Sequence, residues 1–299
     1  MNHSTKVGVF VADRKWDLGV ALSGGTLKAA AHVGVLSALD RLGISPDAIA
    51  GTSAGSLVAC LYAYGYRAQD LEQLARSFPG WRLVDYGFPA AKSILTLAAS
   101  RLRICQAQDP IPPGLLRGAR FRQYIERLLA HRRPQMPVFA LATDLVSGRP
   151  IVFTPNDIRM DAVERTEAMA LAVAGSCALP GVFPPVRHGP YLLVDGAMRH
   201  YVPVSVLRQL GCRRILAVNL YRLPAQFHPK TMIDVFLRAF DILLRESIDN
   251  DLDAPSVLLL EPELNAVKGP PFERLPGYIR AGRACVERHA NAIRNFVRP

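Results

Sequence analysis

The strongest constraint on the fold of this chain is the alternation of short β-like apolar runs with stretches of helical periodicity. Asp17–Leu22 reads as a strand and is followed by a helical pattern from about Lys28 to Leu42; Ala48–Ala50 is followed by another from Gly55 to Tyr66. Further strand-like runs are Val138–Thr143, Pro150–Phe153, Tyr191–Val194, Ile215–Leu220 and Val257–Leu260. Between them lie helical patterns near Arg120–His131, Asp161–Ala174, Val202–Gln209 and Met232–Ile248. Strands that alternate with helices of this length build βα units, which predicts an α/β fold with a largely parallel sheet.

The 299 residues admit two domains by length alone. No fixed-period repeat and no low-complexity linker divides them, so residues 1–299 read as a single domain. Prolines 79, 89, 110, 112 and 113 interrupt the segment 78–116, although Ala90–Leu102 has helical character. That segment is expected to leave the sheet, either as a lid over a site or as a surface connection. The five cysteines stand singly, which argues against a disulfide framework and for a reducing compartment. The N-terminus lacks the layout of a secretory signal, and the densest apolar run, Ala168–Ala174, is far too short to span a bilayer. The expectation is a mature, cytoplasmic protein, peripheral at most on the inner membrane surface.

Three motifs carry chemistry. Gly51-Thr52-Ser53-Ala54-Gly55 is a G-x-S-x-G pattern between a strand-like and a helix-like run. Flanking glycines permit a sharp turn that projects the serine hydroxyl, and the following helix start offers free N–H groups to a developing oxyanion. Ser53 is therefore a candidate nucleophile, and a simple helix-capping serine is the alternative. Ser23-Gly24-Gly25-Thr26-Leu27-Lys28 opens the first helix, where its amides and the Lys28 charge suit an anion. Neither dinucleotide nor Walker-type phosphate spacing is present, which disfavours a nucleotide. Asp195, at the end of the apolar run Tyr191–Val194, is placed either to accept a proton or to form a turn.

Taken in order, these motifs resemble the patatin-like phospholipase family, particularly its compact bacterial members, from about Asp17 to the C-terminus. The block Ser176-Cys177-Ala178-Leu179-Pro180-Gly181-Val182-Phe183-Pro184-Pro185 is similar to the family's S-x-A-x-P-x-x-F-x-P. Ala142-Thr143-Asp144-Leu145 and Ala281-Gly282-Arg283 also have counterparts. The resemblance implies a three-layer α/β sandwich and lipid acyl hydrolysis by a Ser-Asp dyad. Ser53 would be the nucleophile and Asp195 the base, with no histidine taking part. Amides of Gly24, Gly25, Thr26, Leu27 and Ala54 would form the oxyanion hole, with Lys28 adding positive charge. No cofactor and no metal are implied.

The chain departs from the family pattern at Thr26, where a third glycine is usual, at Ala29 for a further glycine, at Ala197 in the D-G-G motif, and at His200-Tyr201. A β-branched residue at Thr26 is costly if the loop needs positive φ there. The altered loop also admits a scaffold that binds lipid or protein without turnover. His200 is the alternative catalytic histidine, since it follows Ser53 and Asp195 in the order of an α/β-hydrolase triad. His32, in a helix of small apolar residues, reads as a packing residue, and Asp144 as a turn-orienting acid. The chain carries 36 Lys and Arg against 25 Asp and Glu, a net +11. Basic groups at Arg117–Arg133 and along Gly277–Val297 suit the headgroups of an anionic membrane or simply a solvated surface. No nucleic-acid signature accompanies them.

Overall fold

The computed structural model describes residues 16–83, 85, 116–155, 162–221 and 254–298, with positions 235, 238, 239, 242 and 252. Its centre is an eight-stranded sheet. The strands are β1 (Trp16–Leu22), β2 (Ala48–Thr52), β3 (Val138–Asp144), β4 (Pro150–Phe153), β5 (Val186–His188), β6 (Tyr191–Asp195), β7 (Cys212–Val218) and β8 (Val257–Leu260). The order is β5-β6-β3-β2-β1-β7-β8, with β4 pairing β3 off this path. Neighbours from β3 through β8 run parallel, while β4, β5 and β6 pair antiparallel at the other end. The expected largely parallel sheet is thus present, with an antiparallel margin.

Side chains alternate across a strand with period two, and here both faces are buried. Leu18, Val20, Leu22, Ile49, Val138, Leu216 and Val218 belong to one core. Their neighbours Ala21, Ala48, Ala50, Phe139, Leu141, Ile215 and Ala217 belong to a second. The first core is covered by helices α1 (Ala30–Arg41), α2 (Ala54–Ala63), α3 (Ala68–Arg76), α4 (Ala119–Leu129), α5 (Ala162–Ser176), α7 (Leu275–Arg288) and α8 (Ala290–Val297). The second is covered by α6 (Val204–Gln209). These are the three layers, helices on each face of one sheet.

Several elements differ from the sequence reading. The first helical pattern begins as a 3-10 turn at Thr26–Ala29 before α1, and the last divides into α7 and α8 at His289. The strand expected at Ile215–Leu220 starts earlier and stops at Val218, because Leu220 N–H is taken by Ser23 Oγ. Helix α3 and strand β5 were not expected; β5 is three residues long and lacks the apolar run that marks a strand. The helical pattern at Ala90–Leu102, most of the 78–116 excursion and the N-terminal segment lie outside the described residues, as does Met232–Ile248 except for positions 235, 238, 239 and 242, which are helical.

The pairing registers explain why distant motifs meet. Strand β3 has two edges, and β4 occupies one along Ala140–Thr143. Along the other edge, β2 and β6 follow one another: Thr52 faces Leu141, and Asp195 faces the next residue, Ala142. The two strands approach with their carboxyl ends together. On the other side of β2, Leu22 of β1 faces Gly51, so the loop after β1 opens beside Ser53.

Candidate active site

Ser53 sits between β2 and α2 with φ 53° and ψ −132°, a conformation that L-residues rarely adopt. Such strain costs about 1–3 kcal/mol and persists only where the surroundings impose it. Three contacts do so here. Ser53 N–H donates to Ser176 Oγ (2.8 Å), and Ser176 Oγ in turn donates to the Leu141 carbonyl. The Ser53 carbonyl accepts from both Ser56 N–H (2.8 Å) and Ser56 Oγ (2.6 Å). Gly51 and Gly55 are required by the close approach: a Cβ on Gly55 would lie 2.3 Å from the Ser23 carbonyl oxygen, and one on Gly51 2.4 Å from that of Gly55.

The hydroxyl of Ser53 donates to Asp195 Oδ2 at 2.7 Å. Asp195 Oδ1 accepts from Ala197 N–H (2.9 Å), and the Asp195 amide donates to Ala178 (3.0 Å). Both side chains are buried. Burial pushes the Asp195 carboxyl from its ordinary value up to about 6, against the hydrogen bonds from Ala197 and Ser53, which favour the anion. The result is an acid that is ionised at neutral pH yet more basic than an exposed carboxylate.

The loop after β1 lies against this pair, with the Cβ position of Gly24 3.4 Å from that of Ser53. Gly24 N–H donates to the Tyr201 carbonyl (3.1 Å), so this amide is committed elsewhere. Lys28 N–H donates to Gly25 O (2.9 Å), closing the 3-10 turn; the amides of Thr26 and Leu27 precede that bond, as that of Ala54 precedes the first turn of α2. Thr26 has φ 49°, in the left-handed region that a third glycine would occupy without strain. Lys28 is half-buried and makes no ion pair among the described residues.

These groups open on a cavity of about 620 Å³ whose walls include Leu57, Leu61, Leu74, Phe78, Tyr124 and Leu128. Ser53, Asp195, Lys28 and the loop Gly24–Leu27 all line it.

The other sequence candidates lie apart from the Ser53 hydroxyl. The His200 ring meets Ser205 Oγ (3.3 Å), and its backbone carbonyl accepts from Thr52 Oγ1 (2.9 Å). His32 is buried and donates from Nε2 to the Ser23 carbonyl (2.9 Å); burial lowers its pKa to about 4 and keeps it neutral. Asp144 accepts from Leu192 N–H and from the amide and hydroxyl of Ser147, tying the β3–β4 turn to β6. Burial opposes its ionisation, but these hydrogen bonds outweigh it and hold the pKa below the usual carboxylate range. Ser176 was legible only as part of a family block; its role in bracing the strained turn depends on a contact 123 positions away. Among the described residues no cluster of His, Cys, Asp and Glu is arranged to hold a metal, and no helix is long and apolar enough to cross a membrane.

Comparison with known proteins places this geometry in context. The chain is 26% identical over 309 aligned positions to an uncharacterized NTE family protein of Mycobacterium tuberculosis, covering 94% of this chain and 48% of that protein. It therefore spans about half the length of that relative. It is 30% identical over 212 positions to a lysophospholipase of Cryptococcus neoformans, covering 68% of this chain and 11% of the other. Among solved structures, VipD from Legionella pneumophila aligns with 93% of this chain and 67% of its own, at 14% identity and a TM-score of 0.48. The family model described as Patatin-like phospholipase matches residues 20–208, well over half of the sequence and inclusive of Ser53 and Asp195, and the chain belongs to that family.

Proposed function

We propose that this chain is a serine acyl-ester hydrolase acting on phospholipids or lysophospholipids through Ser53 and Asp195. The observation that carries the reading is the 2.7 Å hydrogen bond from Ser53 Oγ to a buried carboxylate at an apolar cavity. The volume, about 620 Å³, falls within the range of about 300–1,000 Å³ common for small-molecule sites, and its walls suit an acyl chain. Membership of the family supports the lipid hydrolase class.

In this mechanism Asp195 takes the Ser53 proton as Oγ attacks the ester carbonyl carbon. The tetrahedral oxyanion is met by amides of the Gly25–Leu27 loop and of Ala54, with Lys28 contributing positive charge to the same wall. Each such donor is worth about 2.7–4 kcal/mol of barrier. Collapse expels the alcohol, which takes the proton back from Asp195. Water then attacks the acyl-Ser53 ester, with Asp195 again the base, and releases the fatty acid. Binding to anionic bilayers, at the inner membrane surface of the cell, is the setting that the +11 charge supports.

The test is a fluorophosphonate probe together with p-nitrophenyl esters, applied to the wild type, Ser53→Ala and Asp195→Asn. Labelling of the wild type alone at Ser53, with hydrolysis reduced at least a hundredfold in each variant, is the expected outcome. A wild type that neither labels nor turns over in the presence of lipid would favour a binding scaffold. A large loss of rate in His200→Ala with the fold intact would replace the dyad by a triad.

A further inference from the structure

A second cavity, of about 340 Å³, adjoins the first and shares Phe121, Cys177 and Phe183 with it. Phe121 and Phe183 stack at 6.4 Å between ring centroids, forming a partition between the two spaces. Cys177 is partly buried and lines the first cavity together with Ser53, so the shared wall belongs to the same space as the Ser53 hydroxyl. The character of the second cavity is different. Arg117, Arg122 and Arg187 line it, brought from the start of α4 and from β5, and among the described residues no carboxylate does. Arg122 pairs with Glu126 along the helix at 3.3 Å, an exposed contact that leaves guanidinium donors free. Arg117 and Arg187 pair with no carboxylate among the described residues. The amides at the start of α4 are not part of this site, since Asp85 already caps those of Gly118 and Arg120.

All three arginines are exposed, so water solvates their charges, and an anion at this rim meets guanidinium groups from two segments of the chain. Their planar donor forks match phosphate oxygens in geometry. We infer that this cavity is the subsite for the phosphate of a phospholipid or lysophospholipid whose acyl ester lies at Ser53, reached past the Phe121–Phe183 partition. The assignment rests on the hydrolase reading above for the position of the ester. It gives the basic groups distinct tasks: Lys28 lines the acyl cavity, and the three arginines read the headgroup.

The experiment compares a short-chain monoacyl glycerophosphate with the monoacylglycerol of the same chain, both below their micelle concentrations. Substrates are given to the wild type, to the triple variant Arg117→Gln/Arg122→Gln/Arg187→Gln, and to Arg213→Gln as an exposed arginine outside the cavity. The ratio of kcat/KM for the phosphate-bearing ester to that for the neutral ester is expected to fall at least tenfold in the triple variant, mostly through KM. In Arg213→Gln the ratio stays at the wild-type value. A ratio unchanged in the triple variant overturns the subsite. In parallel, 31P NMR follows binding of sn-glycerol 3-phosphate and of inorganic phosphate to Ser53→Ala, with and without the triple change. Glycerol phosphate binding that is lost in the triple variant supports the headgroup assignment. Equal binding of inorganic phosphate makes it a free-anion site, and binding that survives the triple change sets it aside. Because binding needs no turnover, a wild type that fails to label with fluorophosphonate removes the hydrolase reading while the 31P result still decides the subsite.

Discussion

At Ser53 and Thr26 two non-glycine residues hold positive φ, and both face the same cavity. Ser53 is braced through Ser176, so Ser176→Ala deprives the Ser53 amide of its acceptor and the Leu141 carbonyl of its donor. A loss of about 1–3 kcal/mol of stability is expected from the buried unpaired groups. If Ser176 positions the nucleophile, kcat also falls with KM nearly unchanged; denaturant unfolding and steady-state kinetics read the two effects. Thr26→Gly relieves left-handed strain of about 1–3 kcal/mol against a glycine entropy cost of about 0.5–1, so stability should hold or rise in a urea titration. Asp195 sets the pH behaviour. Its carboxyl must be ionised to act as base, so kcat/KM should fall about tenfold per pH unit below about 6. The same group titrates stability. Its folded pKa is raised from 3.8 to about 6, so its favourable contribution is complete below about 4 and is lost as pH rises through 6. Asp195→Asn should therefore be more stable than wild type at pH 8, on the order of 2–3 kcal/mol, with the gap closing toward pH 4. A thermal melt at each pH checks the sign.

Among the helices, α1 and α7 cross at backbone contact. A Cβ on Gly34 would lie 1.9 Å from the Ile279 carbonyl oxygen, and one on Gly282 2.0 Å from that of Ala31. Neither neighbour is a flexible side-chain end, so the helices must separate to admit a methyl. Gly34→Ala or Gly282→Ala should cost about 1–3 kcal/mol despite the better helix propensity of alanine, seen as a lowered urea midpoint. Beside this crossing, Arg283 pairs with Glu72 and ties α7 to α3, while Ser37 of α1 also reaches Glu72 (3.3 Å). The start of α1 follows the Gly24–Lys28 loop, so the glycine crossing holds the frame on which that loop stands. In the sequence, Gly282 was legible as part of a family motif; its reason is a distance between two helices far apart in the chain.

Over the whole molecule, the +11 charge divides into groups with different work. Arg132 stacks over the Tyr66 ring at 3.8 Å, Arg283 pairs with Glu72, and Arg288 with Glu263. Arg280, Arg294 and Arg298 on the last two helices are exposed. If these hold the protein on anionic lipid, cosedimentation with phosphatidylglycerol vesicles should weaken with added salt. It should also fall about fivefold for each of the three changed to Gln, since each contributes about 1 kcal/mol near such a surface. Binding that ignores both salt and these substitutions would assign the charge to other work.

The alternation of apolar runs determined the α/β class by itself, because strand and helix periodicities are local properties of the chain. The G-x-S-x-G turn, the loop at Gly24 and Asp195 were legible for the same reason: each motif reports the local backbone that it requires. Whether they meet was not local. That Asp195 lies against Ser53 follows from β2 and β6 sharing one edge of β3 on consecutive residues, a register set by burial on both faces of the sheet. The bracing serine at position 176, the commitment of the Gly24 amide to Tyr201 and the meeting of three arginines at the cavity beside that of Ser53 were likewise decided in three dimensions. Hydrogen bonds and charge act through distances of a few ångströms, and only packing brings residues from opposite ends of the chain within that reach.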